Sequence, residues 1–205
     1  MADAPILSID PNHPQPRHIE RAVACLEAGG VIAYPTDTYY AIGCDLMNKK
    51  AVEKLYRLKN RPTQRPLSFL CADLSDISRY ARVSNFAYKL MKRLVPGPYT
   101  FVLPATRLTP EIAMTKQKTV GIRVPDAAIP LALVERLGHP LLTTSATYGD
   151  ETLLDPRDIK ALLGHGLELI IDGGYQLNEP STVVSLLDDR VEVLREGKGP
   201  VDVLS

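Results

Sequence analysis

The chain has no tryptophan, three phenylalanines and three cysteines among its 205 residues. Cys25, Cys44 and Cys71 are odd in number, widely spaced and free of any CxxC. That argues against a disulfide framework or a cysteine zinc site and points to a reducing cytoplasm. His13, His18, His139 and His165 make no metal-ligand spacing with them or with one another, so no protein-bound metal site is expected. His13 and His18 sit among prolines and read as surface loop. No apolar run approaches the roughly 18 residues that a membrane span requires, and no membrane partner is expected. The opening "MADAPILSIDPNHPQPRH" lacks a basic region followed by an apolar stretch, so no secretory signal is read there.

The usual signatures of nucleotide and nucleophile chemistry are missing too. "REGKGP" contains Gly-Lys without the spaced glycines and Ser/Thr of a Walker A loop, and no GxGxxG follows a strand. "TSATYG" is not a nucleophile elbow, and no Ser-His-Asp or Cys-His arrangement is suggested. An enzyme built from this chain is expected to work by positioning and charge stabilisation, with no covalent intermediate.

What is present is unevenly distributed. The formal net charge is zero, yet residues 49–93 hold 12 of the 24 Lys and Arg against Glu53, Asp73 and Asp76. This stretch is locally +9 and the remainder −9, an asymmetry that suits a phosphate-bearing partner, nucleotide or nucleic acid. Its later members (Arg79, Arg82, Lys89, Lys92, Arg93) read as solvated helix faces.

Hydrophobic content of 45% with 23% charged residues suits a globular chain with a real core, and the length suits one domain over 1–205. "PRHIERAVACLEAGG" places Ile19, Val23 and Leu26 at helical spacing before a Gly29 stop. Asn48 is placed to cap a helix over "KKAVEKLYRLKN", and Asp155 one that begins at Pro156. "LSDISRYA", "NFAYKLMKRLV" and "AIPLALVERLG" read as further helices. "GGVIAYP", "RPLSFLCA", "PGPYTFVLPA", "TVGIRVPD", "HPLLTTSA", "LELIIDGG", "STVVSLLD" and "RVEVLRE" read as strands. Strands outnumber what a regular βαβ alternation supplies, so some must pair antiparallel. The expected fold is α/β: a twisted, mixed parallel/antiparallel open sheet with flanking helices.

Ligand-type residues recur where these strands end. "YPTDT" delivers Thr36, Asp37 and Thr38 to a sheet edge, either as pocket walls or as a turn that bonds its own backbone. Lys59 and Arg61 stand two apart before Pro62, where helix geometry breaks, so both heads can turn to one site or simply complement the helix dipole. Arg123, between Ile122 and Val124, must point outward or have an anionic partner. Thr143, Thr144 and Ser145 close another strand, Ser181 and Thr182 follow "NEP", and Arg195 ends the last. Arginine forks, a lysine charge and nearby hydroxyls are what a polyphosphate and a small polar substrate need.

Taken in order, "GGVIAYPTDTYYAIGCD", "LKNRP…RPLSFL", "VPGPYTFVLPA", "TVGIRVPD", "LLTTSAT", "PSTVV" and "VLREG" resemble the YrdC family, the threonylcarbamoyl-AMP synthases, from about Arg17 to Gly199. The likeness is greatest to the shorter YciO-type branch. It implies a sheet around a large basic concave cavity. It also implies condensation of L-threonine, bicarbonate and ATP, with Mg2+ carried on the ATP, into threonylcarbamoyl-adenylate and pyrophosphate towards the t6A base of tRNA. By the same resemblance Thr36, Arg123, Thr143 and Ser181 would bind threonine. Lys59, Arg61, Arg65, Thr119, Ser145 and Arg195 would bind the nucleotide, with Lys59 and Arg61 on its phosphates and Asp37 bracing the turn. Two positions depart from the pattern: Ser145-Ala146-Thr147 replaces Ser-x-Asn, and Leu70 stands where some members have histidine. The first implies weakened turnover. The alternative is a non-catalytic relative that binds nucleotide, double-stranded RNA or tRNA.

Overall fold

In a computed structural model of the chain, residues 4–60, 67–177 and 179–204 are described. Helix α1 (Pro16–Glu27) starts on a proline, whose missing N–H costs nothing in the first turn, and gives way to Gly29 at φ +85°. Its Ile19, Val23 and Leu26 are buried as their spacing requires. His18 lies in its first turn, not in a loop, because the Pro16 that suggested a loop opens the helix. Asn48 caps α2 (Lys49–Leu58) by accepting from the Ala51 N–H at 3.1 Å, and Asp155 caps α6 (Pro156–Leu163) at 2.8 Å. Asp73 and Ser84 do the same for the short helices α3 (Leu74–Tyr80) and α4 (Asn85–Met91). Helix α5 (Ala128–Leu137) stops at a left-handed Gly138. Arg79, Arg82, Lys89, Lys92 and Arg93 are all exposed, as solvated faces should be.

Among the described residues, ten strands form one mixed sheet: β1 (Ile6–Ser8), β2 (Ile32–Pro35), β3 (Tyr40–Asp45), β4 (Ser68–Leu70), β5 (Tyr99–Pro104), β6 (Thr119–Arg123), β7 (Leu141–Ser145), β10 (Leu169–Asp172), β11 (Thr182–Ser185) and β12 (Glu192–Arg195). The order is β1-β10-β2-β3-β7-β4-β6-β5-β11-β12. β8 (Thr147–Tyr148) and β9 (Glu151–Thr152) make a separate small hairpin directly after β7. The pairs β1–β10, β10–β2, β4–β6 and β5–β11 run parallel, the rest antiparallel. β1, β3 and the β8–β9 hairpin are strands beyond those read from the residue pattern.

Strand alternation sorts the core onto two faces. One face carries Ala33, Ile42, Phe69, Phe101, Ile122 and Leu142 against Val52 and Leu55 of α2 and the other helices of that layer. The opposite face carries Ile32, Tyr34 and Leu141 under Ile19, Val23 and Leu26 of α1 and Ile129, Leu133 and Leu137 of α5. These two helices pack on β2, so the second face is filled at one end of the sheet. No helix among the described residues is long and apolar enough to cross a membrane.

Candidate active site

Further along that second face the register aligns Gly43, Thr143, Ser68, Gly121 and Val102 on successive strands β3, β7, β4, β6 and β5. Thr143, Ser68, Gly121 and Val102 are too small to fill the space a close-packed layer would occupy, and a cavity of about 310 Å³ opens over them, while Gly43 is covered by Tyr34. Tyr34 is fully buried behind this lining, in contact with Thr143. A Cβ on Gly43 would stand 2.8 Å from the Tyr34 hydroxyl, which is hydrogen-bonded to Thr143 Oγ1 at 2.7 Å. Burial pushes that phenol well above its ordinary range, so it stays protonated and able to donate.

The wall nearest β2 is the segment after it. Thr36 Oγ1 donates to the Tyr39 carbonyl at 2.6 Å and accepts from the Thr38 N–H at 3.1 Å, yet both threonines also line the cavity. The two readings of "PTDT" are therefore both present: it is a turn, and it is a wall. Asp37 turns the other way. Its carboxylate forms a buried ion pair with Arg123 and accepts from the Asp126 N–H at 3.0 Å, while its carbonyl accepts from Lys198 Nζ at 2.6 Å. Arg123 also donates to Thr38 Oγ1 at 3.1 Å.

Arg123 is 9% exposed and lines the cavity, so it has the anionic partner that its apolar strand demanded. Burial draws its guanidinium below the ordinary value, and Asp37 opposes that. Arginine remains protonated throughout the usable pH range, so a positive charge is fixed at the cavity wall. The guanidinium Nε has no hydrogen-bond partner among the described residues.

The opposite wall comes from β11 and β12. Arg195 donates to the Ser181 carbonyl through Nε and Nη2 at 3.2 and 2.8 Å, and to Ser181 Oγ at 3.2 Å. Ser181 Oγ in turn bonds Thr100 Oγ1 at 2.9 Å, and Thr115 and Thr119 pair their hydroxyls at 2.7 Å. At the rim, the Lys59 ammonium reaches across from the end of α2 to the Ser145 carbonyl at 3.3 Å.

Thr36, Thr119, Arg123, Thr143, Ser145, Ser181 and Arg195, seven positions expected from the sequence, thus meet in one hollow. Lys59 stands at its edge, in contact with Ser145 but not in the lining. Arg61 and Arg65 lie outside the described residues. Tyr34, Ser68, Thr100, Thr115, Gly121 and Lys198 belong to the site's construction without having been singled out. For Ser68, Thr100 and Gly121 the available signal was a small or hydroxyl residue at alternate positions of an otherwise apolar strand. Leu70, noted as a departure, is part of the lining.

Among the described residues that line the cavity there is no histidine, cysteine or carboxylate. The lining offers hydroxyl donors and acceptors for a small polar molecule and two guanidinium groups for anionic oxygens. It has no nucleophile paired with a base. What the arrangement can do is hold charged reactants together.

Comparison with known proteins gives a consistent set. The Sua5_yciO_yrdC family, described as "Telomere recombination", matches residues 24–197. Escherichia coli YciO, named an uncharacterized protein, is 45% identical over 196 residues, covering 94% of this chain and 95% of the relative. Its crystal structure superposes with a TM-score of 0.93 over 98% of this chain and all of that one. A threonylcarbamoyl-AMP synthase of Vibrio vulnificus is 30% identical over 185 residues, covering 88% of this chain and 98% of the relative. P. abyssi Sua5, solved in complex with L-threonine, is 28% identical with a TM-score of 0.91, over 97% of this chain and 59% of that one.

Proposed function

Because the chain belongs to the Sua5/YciO/YrdC family, we propose that it condenses L-threonine, bicarbonate and ATP into threonylcarbamoyl-adenylate and pyrophosphate. The observation that carries this reading is the convergence of seven hydroxyl and arginine side chains, far apart in sequence, on one hollow. The relatives named as threonylcarbamoyl-AMP synthases and the threonine complex of a Sua5 support the choice of reaction and amino acid.

The chemistry suits a site without a nucleophile of its own. The threonine amine captures the carbon of bicarbonate as a carbamate with loss of water. A carbamate oxygen then attacks the α-phosphorus of ATP, and the bond from that phosphorus to the bridging oxygen of pyrophosphate breaks. Two anions must meet, so the task is to offset their repulsion and hold them in line. Arg123 and Arg195 would take anionic oxygens inside the cavity, and Lys59 and Arg61 the triphosphate, which arrives as its Mg2+ complex. Thr36, Thr143 and Ser181 would orient threonine, and Thr119, Ser145 and Arg65 the nucleotide.

The test is pyrophosphate release from ATP, measured with and without each co-substrate. Release is expected only when threonine and bicarbonate are both present, and Arg61→Ala is expected to lower its rate about a hundredfold. Loss of one such charge contact costs on the order of 3 kcal/mol, about a hundredfold in rate. Release that is indifferent to threonine would overturn the reaction.

A further inference from the structure

We infer that Thr147 is the positioning residue for Lys59, holding its ammonium at the rim of the cavity where a triphosphate would pass; the inference rests on the reaction proposed above. Lys59 caps the C-terminus of α2, and the chain turns sharply after it, with Asn60 at φ +46°. Its backbone is fixed, since the Lys59 N–H donates to the Leu55 carbonyl at 3.1 Å. The side chain is a flexible four-carbon stem that needs acceptors at its far end to settle in one place.

Those acceptors come from the point where β7 runs into the β8–β9 hairpin. Lys59 Nζ donates to the Ser145 carbonyl at 3.3 Å, to the Thr147 carbonyl at 2.8 Å and to Thr147 Oγ1. Between them, Ala146 is fully buried and bonded on both sides, its N–H to the Tyr40 carbonyl and its carbonyl from the Leu153 N–H. That pinned residue sets the peptide oxygens of Ser145 and Thr147 within reach of the same ammonium. Two of these acceptors are backbone and survive a side-chain substitution. Thr147 Oγ1 is there only because residue 147 carries a short hydroxyl.

These oxygens orient the ammonium by hydrogen bonding, which fixes where its positive charge stands. Ser145 itself lines the cavity, which locates the held charge at its edge.

Mg·ATP affinity, measured by calorimetry, tests this. Thr147→Val, which keeps the shape and removes the hydroxyl, is expected to weaken Mg·ATP binding about tenfold and to leave threonine binding unchanged. Thr147→Ser is expected to restore it. In a Lys59→Met background the valine change should add nothing, because the hydroxyl would have lost the group it serves. Unchanged Mg·ATP affinity in Thr147→Val, or an equal loss with and without Lys59, would overturn the inference. A general folding defect is recognised by loss of threonine binding as well, and the serine variant then carries the test: unless it matches the parent, the inference falls. A parent that binds Mg·ATP yet releases no pyrophosphate refutes the reaction alone. A parent that binds no Mg·ATP refutes both.

Discussion

Asp37 stands behind Arg123, away from the cavity, and its value lies in what it does to that arginine. A guanidinium 9% exposed needs compensation, and the carboxylate supplies it while a second oxygen is held by the Asp126 N–H. Lys198 ties the same residue's carbonyl to the C-terminal segment, so three stretches of chain meet at one aspartate. Asp37→Asn keeps an acceptor but removes the charge. It is expected to destabilise the fold by about 3 kcal/mol in urea unfolding, since breaking one side of a buried pair strands the other. Combining it with Arg123→Met should recover most of that loss, because the stranded charge is then gone. Full additivity of the two changes would show that the pair does not act as a unit.

Two glycines on one sheet row separate stability from function at the level of the strand. At Gly43 a Cβ would come within 2.8 Å of the Tyr34 hydroxyl and 2.9 Å of the Leu142 carbonyl, both held in the packed layer. Gly43→Ala should therefore cost about 1–3 kcal/mol in unfolding experiments. At Gly121 the neighbours are Ser68 Oγ at 3.2 Å and Thr100 Cγ2 at 3.4 Å, on the cavity floor. Gly121→Ala should cost less than about 1 kcal/mol and weaken ligand binding instead, read as a raised Kd for threonine or Mg·ATP. The reverse ranking would mean that the hollow is not where ligand sits. The sequence announces the helices through their caps and spacing, but not β3, whose six residues are all buried and show no alternation. β8 and β9, two residues each, are too short to have a period. The site shows the same division. Strand-end hydroxyls and arginines can be picked out one by one, whereas Asp37 meets Arg123 across 86 positions and Lys198 across 161. Only sheet order brings such partners together, and no local pattern encodes it.

For the molecule as a whole, the two packed faces enclose titratable groups whose ionised forms are disfavoured chiefly by burial. Cys44 and Cys71 are buried free thiols, and burial raises both above their ordinary 9.0. Tyr34 and Tyr40 are raised above 10.0 for the same reason. In each case the unfolded chain ionises at a lower pH than the folded one, so the folded state binds more protons. Stability from these groups is fully present below pH 9 and is lost as pH rises, first through the thiols and above pH 10 through the phenols as well. Each group can contribute a slope of up to about 1.4 kcal/mol per pH unit once the unfolded form is ionised. Urea midpoints taken from pH 8 to 10 should fall, steepening above 9, and a Cys44→Ala, Cys71→Ala double variant should flatten that fall by roughly 2–3 kcal/mol per unit. The comparison is between slopes, because the double variant also loses packing at every pH. Parallel slopes for parent and variant would mean that the thiols ionise in the folded protein as readily as in the unfolded one, and that the core beneath the cavity admits water.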